Sequence, residues 1–313
     1  MGSTIDRSDV EAATARIAGR VRRTPVLETG PRTFGVPGSL VLKLELLQHT
    51  GSFKLRGAFS KMLASAVGPA GVLAASGGNF GLAVAFAARQ LGHQAEVLVP
   101  SSSPPVKAER IRAEGGTVRI VPGTFDDAWA AIEERAIETG ALVMHPFDQP
   151  EVAAGQGSIA LELEEQVADA DTVLVAVGGG GLIAGIAAGC EDRVRVVAVE
   201  PTACPTLVAA REAGEPVEVD VGGVAVDSLG PRRIGDIAFD VTSRWVERVV
   251  QVEDDAIVEA QRALWREARL IAEPGGAVAL AAVMSGGFVP ERDERVVVLI
   301  CGANADLGFL ETG

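Results

Sequence analysis

Hydrophobic positions along this chain fall into short apolar runs that alternate with longer segments of amphipathic or alanine-rich character. The short runs, rich in Val, Leu and Ala, predict buried strands, and the longer segments predict helices. Gly and Pro mark most of the joints between them. This alternation predicts an α/β fold in which helices cover an open, mostly parallel sheet.

The first half of the chain repeats the strand–helix alternation several times. The pattern predicts helices over 9–18, 82–90, 106–113 and 126–138, and strands over 40–45, 71–75, 95–99 and 117–121. The alternation restarts after 145–148, with helices over 159–167, from 182 and over 254–268, and strands over 172–177, 194–199 and 295–300. A looser, Gly- and Pro-rich region lies between 216 and 235. Two α/β lobes follow, with ligands expected at the carboxyl ends of the strands, in the cleft between the lobes.

Charge and composition narrow the function classes. The formal net charge of the 313 residues is −14, which argues against a nucleic-acid partner, because a phosphate backbone requires a basic surface. There is no Tyr, and three Trp offer no stacking platform for single strands. The apolar runs are too short or too interrupted to span a bilayer, so we expect no membrane association.

Cysteine usage predicts the compartment. Cys190, Cys204 and Cys301 are widely spaced and odd in number, which favours a reducing, cytoplasmic environment over a disulfide framework or a zinc site. Residues 1–20 are charged and contain no apolar core, so we expect no signal peptide.

The first candidate for chemistry is Lys54, in the stretch Gly51-Ser52-Phe53-Lys54. Small and aromatic residues surround this lysine, and it stands at the predicted start of a helix. Desolvation and the positive end of the helix dipole both disfavour the charged amine and lower its pKa. A lysine of this kind suits Schiff-base chemistry.

Four consecutive glycines, Gly178, Gly179, Gly180 and Gly181, join a predicted strand to a predicted helix. Glycines let several backbone N–H groups point at one spot, and the helix N-terminus adds partial positive charge, so the turn predicts a phosphate cradle.

The same turn satisfies a rival pattern. Gly179-x-Gly181-x-x-Ala184, with Glu200 at the end of the next strand, matches a dinucleotide-binding fingerprint. A nicotinamide-dependent reductase is therefore an alternative, but it gives no role to Lys54 or Asn79.

A second anion cradle is predicted where Ser76-Gly77-Gly78-Asn79-Phe80 joins a strand to a helix. The Ser76 hydroxyl, backbone N–H groups and the helix end could hold a carboxylate. Two anion cradles and a desolvated lysine together suggest a ligand that carries both a phosphate and a carboxylate. Pyridoxal phosphate joined to an amino acid is such a ligand.

Six motifs carry a family resemblance over nearly the whole chain. In chain order they are Thr50–Ala58, Ser76–Asn79, Gly178–Leu182, Glu200-Pro201, Glu273–Ala277 and Cys301–Asn304. They resemble the fold-type II pyridoxal-phosphate enzymes of the threonine/serine dehydratase group, which includes serine racemase. The resemblance implies two lobes, a large cofactor-binding domain over 1–45 and 143–313 and a small domain over 46–142. It also implies a homodimer.

The resemblance implies a role for each matching residue. Lys54 would bind the cofactor covalently and later act as the base at Cα of the substrate. The expected cofactor contacts are Phe53 against the ring, Asn79 at the 3′-oxygen, Gly178, Gly179, Gly180, Gly181 and Leu182 at the phosphate, Glu273 in the pocket and Cys301 at the pyridine nitrogen. Ser76, Gly77, Gly78, Asn79 and Phe80 would hold the substrate carboxylate.

Three departures from the family pattern matter. Gly77 stands where the racemase has a second serine, so racemisation is disfavoured. Phe80 stands where threonine dehydratases often have His. The resemblance further implies a cation near Glu200, the backbone of Cys204 and the side chain of Thr206. Thr206 stands where the racemase has a carboxylate, and its neutral hydroxyl favours a monovalent ion such as K⁺ over Mg²⁺.

The expected activity is dehydration of L-threonine or L-serine, giving a 2-oxo acid and ammonia. Dehydration of another β-hydroxy amino acid, such as 3-hydroxyaspartate or phenylserine, is the alternative within the family, followed by racemisation. The reductase and a non-catalytic cofactor-binding protein are the alternatives from other classes.

Overall fold

The computed structural model describes residues 4–123 and 125–306 of the chain. Residues 1–3, part of the segment from which we expect no signal peptide, lie outside this range. In the described residues, ten strands form two sheets, joined by helices as the alternating pattern predicts. The strands are β1 (Val26–Glu28), β2 (Leu40–Lys43), β3 (Val72–Ala75), β4 (Ala95–Pro100), β5 (Thr117–Val121), β6 (Leu142–Met144), β7 (Thr172–Ala176), β8 (Arg195–Pro201), β9 (Val246–Val252) and β10 (Val296–Leu299).

The α-helices are α1 (Arg7–Ile17), α2 (Lys54–Ala64), α3 (Asn79–Leu91), α4 (Pro105–Ala113), α5 (Phe125–Thr139), α6 (Pro150–Gln166), α7 (Gly181–Cys190), α8 (Thr206–Ala213), α9 (Val226–Leu229), α10 (Asp236–Trp245), α11 (Asp254–Ala263) and α12 (Pro274–Met284). Short 3₁₀ turns cover Thr33–Gly35 and Glu45–Leu47, and a π-helical segment, Leu264–Ala268, follows α11. Within the described residues no helix is long and apolar enough to cross a bilayer.

The large sheet has the order β1-β2-β10-β7-β8-β9, with β1 antiparallel to β2 and every other pairing parallel. The small sheet, β5-β4-β3-β6, is entirely parallel. Every residue of β7 and β10 is buried, as expected for parallel strands covered on both faces. The fold class is therefore the predicted α/β architecture with two open, mostly parallel sheets.

The division into lobes stays a prediction, but the sheets refine its second boundary. Strand β6 covers Leu142–Met144 and pairs with β3 of the small sheet. The expected boundary between 142 and 143 therefore falls inside a strand.

Helix α6 begins well before the predicted start at 159. Gly155 and Gly157 resemble helix breakers in the sequence, yet both lie inside the helix. A Cβ on Gly157 would lie 2.5 Å from the carbonyl oxygen of Gly185 on α7. These glycines allow two helices to approach closely, a packing function that periodicity does not show.

The first turn of α2 is anchored by buried charges. Arg56 is completely buried and forms a bidentate pair with Glu45, with N–O distances of 2.8 and 2.7 Å. It also donates to Glu162 of α6 at 2.7 Å, and Lys43 of β2 donates to the same carboxylate at 2.6 Å. This charge cluster, Lys43, Glu45, Arg56 and Glu162, joins α2 to the large sheet and to α6, two residues from Lys54.

Candidate functional site

The amine of Lys54 lies in a cavity of about 400 Å³ between the two sheets. Lys54 is the first residue of α2, and the N–H of Phe53 donates to the carbonyl of Cys301 at 3.2 Å, which ties the helix start to the end of β10. The amine donates to the carbonyl of Pro146 at 3.1 Å and lies 5.0 Å from the centroid of the Phe53 ring. Burial lowers the pKa of Lys54 to about 8. A fraction of the amine is therefore neutral and nucleophilic near physiological pH, a larger fraction than in a lysine of ordinary pKa.

The glycine turn after β7 forms a backbone cradle at the same cavity. Gly180 caps α7 with φ +86°, a conformation that favours glycine. A Cβ on Gly179 would lie 2.4 Å from the ring of Phe147, and one on Gly180 would lie 2.4 Å from Cβ of Ala238. The N–H groups of the first turn of α7 have no partner within the helix. A cradle of this kind suits a phosphate.

The second turn, Ser76 to Phe80, joins β3 of the small sheet to α3 and lines the cavity from that side. The N–H of Gly78 donates to the Ser76 hydroxyl at 3.3 Å. Phe80 is 2% exposed and packs in the apolar cluster beside the small sheet, so its ring mainly supports the turn. A Cβ on Gly77 would lie 2.5 Å from the hydroxyl oxygen of Ser103. A hydroxyl group therefore stands beside Gly77, a neighbour that the sequence pattern does not predict.

Asn79 is held by a hydrogen-bond chain that connects the small-sheet side of the cavity to the large-sheet side. Its amide nitrogen donates to Glu273 at 2.6 Å, and its amide oxygen accepts from Asn304 at 2.7 Å. Asn304 also donates to the carbonyl of Thr50 at 2.9 Å. Asn304 lies in the motif Cys301–Asn304, but the sequence pattern predicts no role for it. Its hydrogen bond to Thr50 fixes its side chain, and its hydrogen bond to Asn79 positions that residue.

Glu273 and Cys301 are both buried at the floor of the cavity. Burial raises the pKa of Glu273 to about 7. Burial also raises the pKa of the Cys301 thiol, which donates to the carbonyl of Gly275 at 3.4 Å. The thiol is therefore neutral at physiological pH and suits a neutral ring nitrogen.

The segment His145–Asp148 was not predicted to contribute to the site. The Nδ1 atom of His145 accepts from the N–H groups of Phe147 at 3.3 Å and Asp148 at 2.8 Å. Burial lowers the pKa of His145 to about 4, which keeps this nitrogen unprotonated. The resulting turn presents the Pro146 carbonyl to Lys54 and the Phe147 ring to the glycine cradle.

The residues expected around a cation occupy other hydrogen bonds. Glu200 is completely buried and its carboxylate accepts from the N–H groups of Leu207 and Val208, both at 3.0 Å. The Thr206 hydroxyl donates to the carbonyl of Gly178 at 2.8 Å, and the backbone carbonyl of Cys204 accepts from the N–H of Thr206 at 3.1 Å. Within residues 4–123 and 125–306, no group of three or more His, Cys, Asp or Glu side chains could hold a metal ion.

The burial of Glu200 also bears on the dinucleotide interpretation. That fingerprint requires a strand-end carboxylate that reaches the ribose hydroxyls of the ligand. Here both carboxylate oxygens cap the start of α8, so Glu200 is not free to bind a ribose. Of the two features that favour the reductase alternative, the glycine pattern remains and the carboxylate of Glu200 does not.

Comparison with known proteins agrees with this geometry. Residues 17–302 match the family described as "Pyridoxal-phosphate dependent enzyme". The L-threonine ammonia-lyase of Thermotoga maritima is 33% identical over 312 residues, which cover 98% of this chain and 77% of that protein. Maize serine racemase superposes with a TM-score of 0.92 at 31% identity, over 99% of this chain and 96% of that one. The threonine deaminase of T.th. has a TM-score of 0.90 at 35% identity, over 97% of this chain and 99% of that one. The chain therefore belongs to the pyridoxal-phosphate dependent enzymes, the family that its motifs predicted.

Proposed function

We propose that this enzyme dehydrates L-threonine and L-serine, releasing 2-oxobutanoate or pyruvate together with ammonia. The observation that carries the proposal is the placement of the Lys54 amine, with its pKa of about 8, in one cavity with two backbone anion cradles. Relatives named as threonine ammonia-lyase and threonine deaminase support this substrate class.

The residues around the cavity fit the cofactor, which is pyridoxal phosphate. When bound, it supplies an electron-withdrawing ring that acidifies the α-carbon of the amino acid. Lys54 is the proposed covalent anchor, and the turn Gly178–Leu182 is the proposed phosphate site. Phe53, Asn79, Glu273 and Cys301 are proposed to contact the ring and its substituents.

The proposed chemistry is a net loss of one water molecule from the substrate: a proton leaves Cα, and the hydroxyl group leaves Cβ as water. Ser76 to Phe80 hold the substrate carboxylate, which fixes the α-carbon relative to Lys54. The amine of Lys54 accepts the α-proton, because a neutral lysine near its pKa is an effective base. The released enamine then hydrolyses to the 2-oxo acid and ammonia.

The experiment that tests the proposal measures ammonia and 2-oxo acid from the holoenzyme with a panel of β-hydroxy amino acids. L-threonine or L-serine should be the preferred substrate over phenylserine. Absence of 2-oxo acid from every member of the panel, in a protein that binds the cofactor, would show a non-catalytic binder instead.

Racemisation is the competing activity. Its extent depends on whether a proton donor stands on the side of the cavity that Gly77 lines. We expect little D-serine in residual substrate after partial turnover, because Gly77 carries no proton donor of its own. Chiral chromatography measures the D-isomer. Ser103→Ala separates the alternatives, since the Ser103 hydroxyl stands beside Gly77. Substantial D-serine from the wild type would overturn the expectation, and its loss in Ser103→Ala would identify Ser103 as the donor.

We expect Cys301→Ser to retain activity within about tenfold of the wild type, because a serine hydroxyl can make the same neutral hydrogen bond. Cys301→Asp should shift the absorption spectrum of the bound cofactor and lower ammonia release, since a buried carboxylate stabilises a protonated ring nitrogen. Both quantities are measured on the purified holoenzymes. An aspartate variant with wild-type activity and an unchanged spectrum would mean that Cys301 does not contact the pyridine nitrogen.

Three further features belong to the proposal. A homodimer is expected, and sedimentation equilibrium measures it. A cytoplasmic location is also proposed, and the three cysteines support it, because Cys190, Cys204 and Cys301 are all buried as free thiols. A monovalent cation near Glu200, Cys204 and Thr206 is tested by comparing activity in K⁺ with activity in a bulky organic cation.

A further inference from the structure

An ion pair crosses the mouth of the substrate cavity. Lys107 lies on α4, beside the small sheet, and Asp227 lies on α9, in the loop region that follows β8. The ammonium of Lys107 donates directly to the Asp227 carboxylate. Both residues line the main cavity and also a smaller gap that adjoins it beside Asn79 and Glu273.

The two partners differ in exposure. The Lys107 side chain is 19% exposed, whereas that of Asp227 is 69% exposed. The cation is therefore fixed within the wall of the cavity, and the carboxylate approaches it from the solvent side. A carboxylate on a ligand could take the place of Asp227 on this cation with little disturbance of the fold.

The pair of Lys107 and Asp227 matters because few cationic side chains line the cavity. Among the described residues, the cationic side chains that line the main cavity are Lys54 and Lys107. Lys54 is assigned to the cofactor, and Lys107 is neutralised by Asp227. Arg110, one turn further along α4, lines the adjoining gap rather than the main cavity. A second carboxylate on the substrate would find no unpaired cation there.

We propose that Asp227 excludes substrates with an acidic side chain by occupying Lys107, so that the enzyme selects β-hydroxy amino acids with neutral side chains. The proposal rests on the proposed dehydratase function and decides against 3-hydroxyaspartate as the substrate. Asp227 repels a second carboxylate on the substrate, because like charges at a binding site are strongly unfavourable. It also occupies Lys107, the cation that would otherwise bind that carboxylate.

Removing the charge of residue 227 should reverse this selectivity. In Asp227→Asn holoenzyme, we expect kcat/KM for L-threo-3-hydroxyaspartate, relative to that for L-serine, to rise about 10-fold to 100-fold. Asp227→Asn with Lys107→Met should lose the gain, because the cation that recognises the second carboxylate is gone. Asp240→Asn is the matched control, because it removes a carboxylate from an exposed Arg–Asp pair away from the cavity, and it should leave the ratio unchanged.

A binding measurement separates this proposal from the dehydratase assignment. L-aspartate carries the second carboxylate but no β-hydroxyl, so calorimetry of its binding to the holoenzyme does not depend on elimination. Its Kd should fall by a similar factor in Asp227→Asn. An unchanged Kd with an unchanged substrate ratio would overturn the proposal, as would a wild type that prefers 3-hydroxyaspartate to serine. Failure of the wild type to turn over any substrate would contradict the dehydratase assignment alone.

Discussion

Lys54→Ala is expected to reduce 2-oxo acid production from L-threonine and L-serine by about 10⁴-fold or more. One amine is proposed to hold the cofactor and to accept the α-proton, and no other lysine with an unpaired amine lines the described part of the cavity. The loss therefore combines covalent anchoring with base catalysis. Coupled assays for ammonia and 2-oxo acid measure the effect.

A matched control uses another lysine of the same helix. Lys61 forms a 3.0 Å ion pair with Glu151, away from the cavity, so Lys61→Ala should retain activity close to the wild type. Lys54→Ala should still fold, as judged by circular dichroism, and should bind pyridoxal phosphate weakly and reversibly through the glycine cradle. Turnover by Lys54→Ala above a trace would remove Lys54 from its assigned role.

The parts of the site that the sequence predicted are those whose function depends on local backbone geometry. Lys54 at a helix start and the tetraglycine turn after a strand can both be recognised within a few residues. Burial of these segments follows from the apolar strands beside them, and the lowered pKa of Lys54 follows from burial. The family resemblance then supplied roles that local patterns could not.

The parts that were missed depend on contacts between distant segments. Asn304 reaches Asn79 across 225 positions of the chain, and the Pro146 carbonyl reaches Lys54 across 92. Glu200 resembles an exposed strand-end carboxylate in the sequence, yet helix α8 folds over it and buries it completely. Such partners have no signature in local spacing, because the tertiary fold brings them together.

The buried charge cluster beneath α2 was likewise invisible in the sequence and leads to the largest expected effect on stability. Arg56→Met is expected to lower the free energy of unfolding by about 3–5 kcal/mol at neutral pH, because it leaves the buried carboxylate of Glu45 without its main partner and removes a cationic partner of the partly buried Glu162. Arg244→Met is the matched control. It removes an arginine from an exposed pair with Asp240 and should cost less than about 1 kcal/mol.

The pH dependence of this effect identifies its cause. In the wild type, burial raises the pKa of Glu45, but Arg56 and Lys43 outweigh burial and hold it below the ordinary value of 4.5. The charged carboxylate therefore contributes stability above pH 4.5, and this is lost as pH falls through the lower folded-state pKa. Without Arg56, burial raises the pKa of Glu45 above its unfolded value, so the variant loses stability as pH rises.

The stability difference between Arg56→Met and the wild type should therefore be greatest near neutral pH and should shrink as pH is lowered toward 4.5. Urea unfolding at a series of pH values measures it. If Arg56→Met is insoluble, Glu45→Gln provides a second variant, since it removes the charge and keeps the shape of the side chain. A pH-independent loss would indicate that Arg56 acts through packing, and a loss as small as that of Arg244→Met would show that the buried cluster does not stabilise the fold.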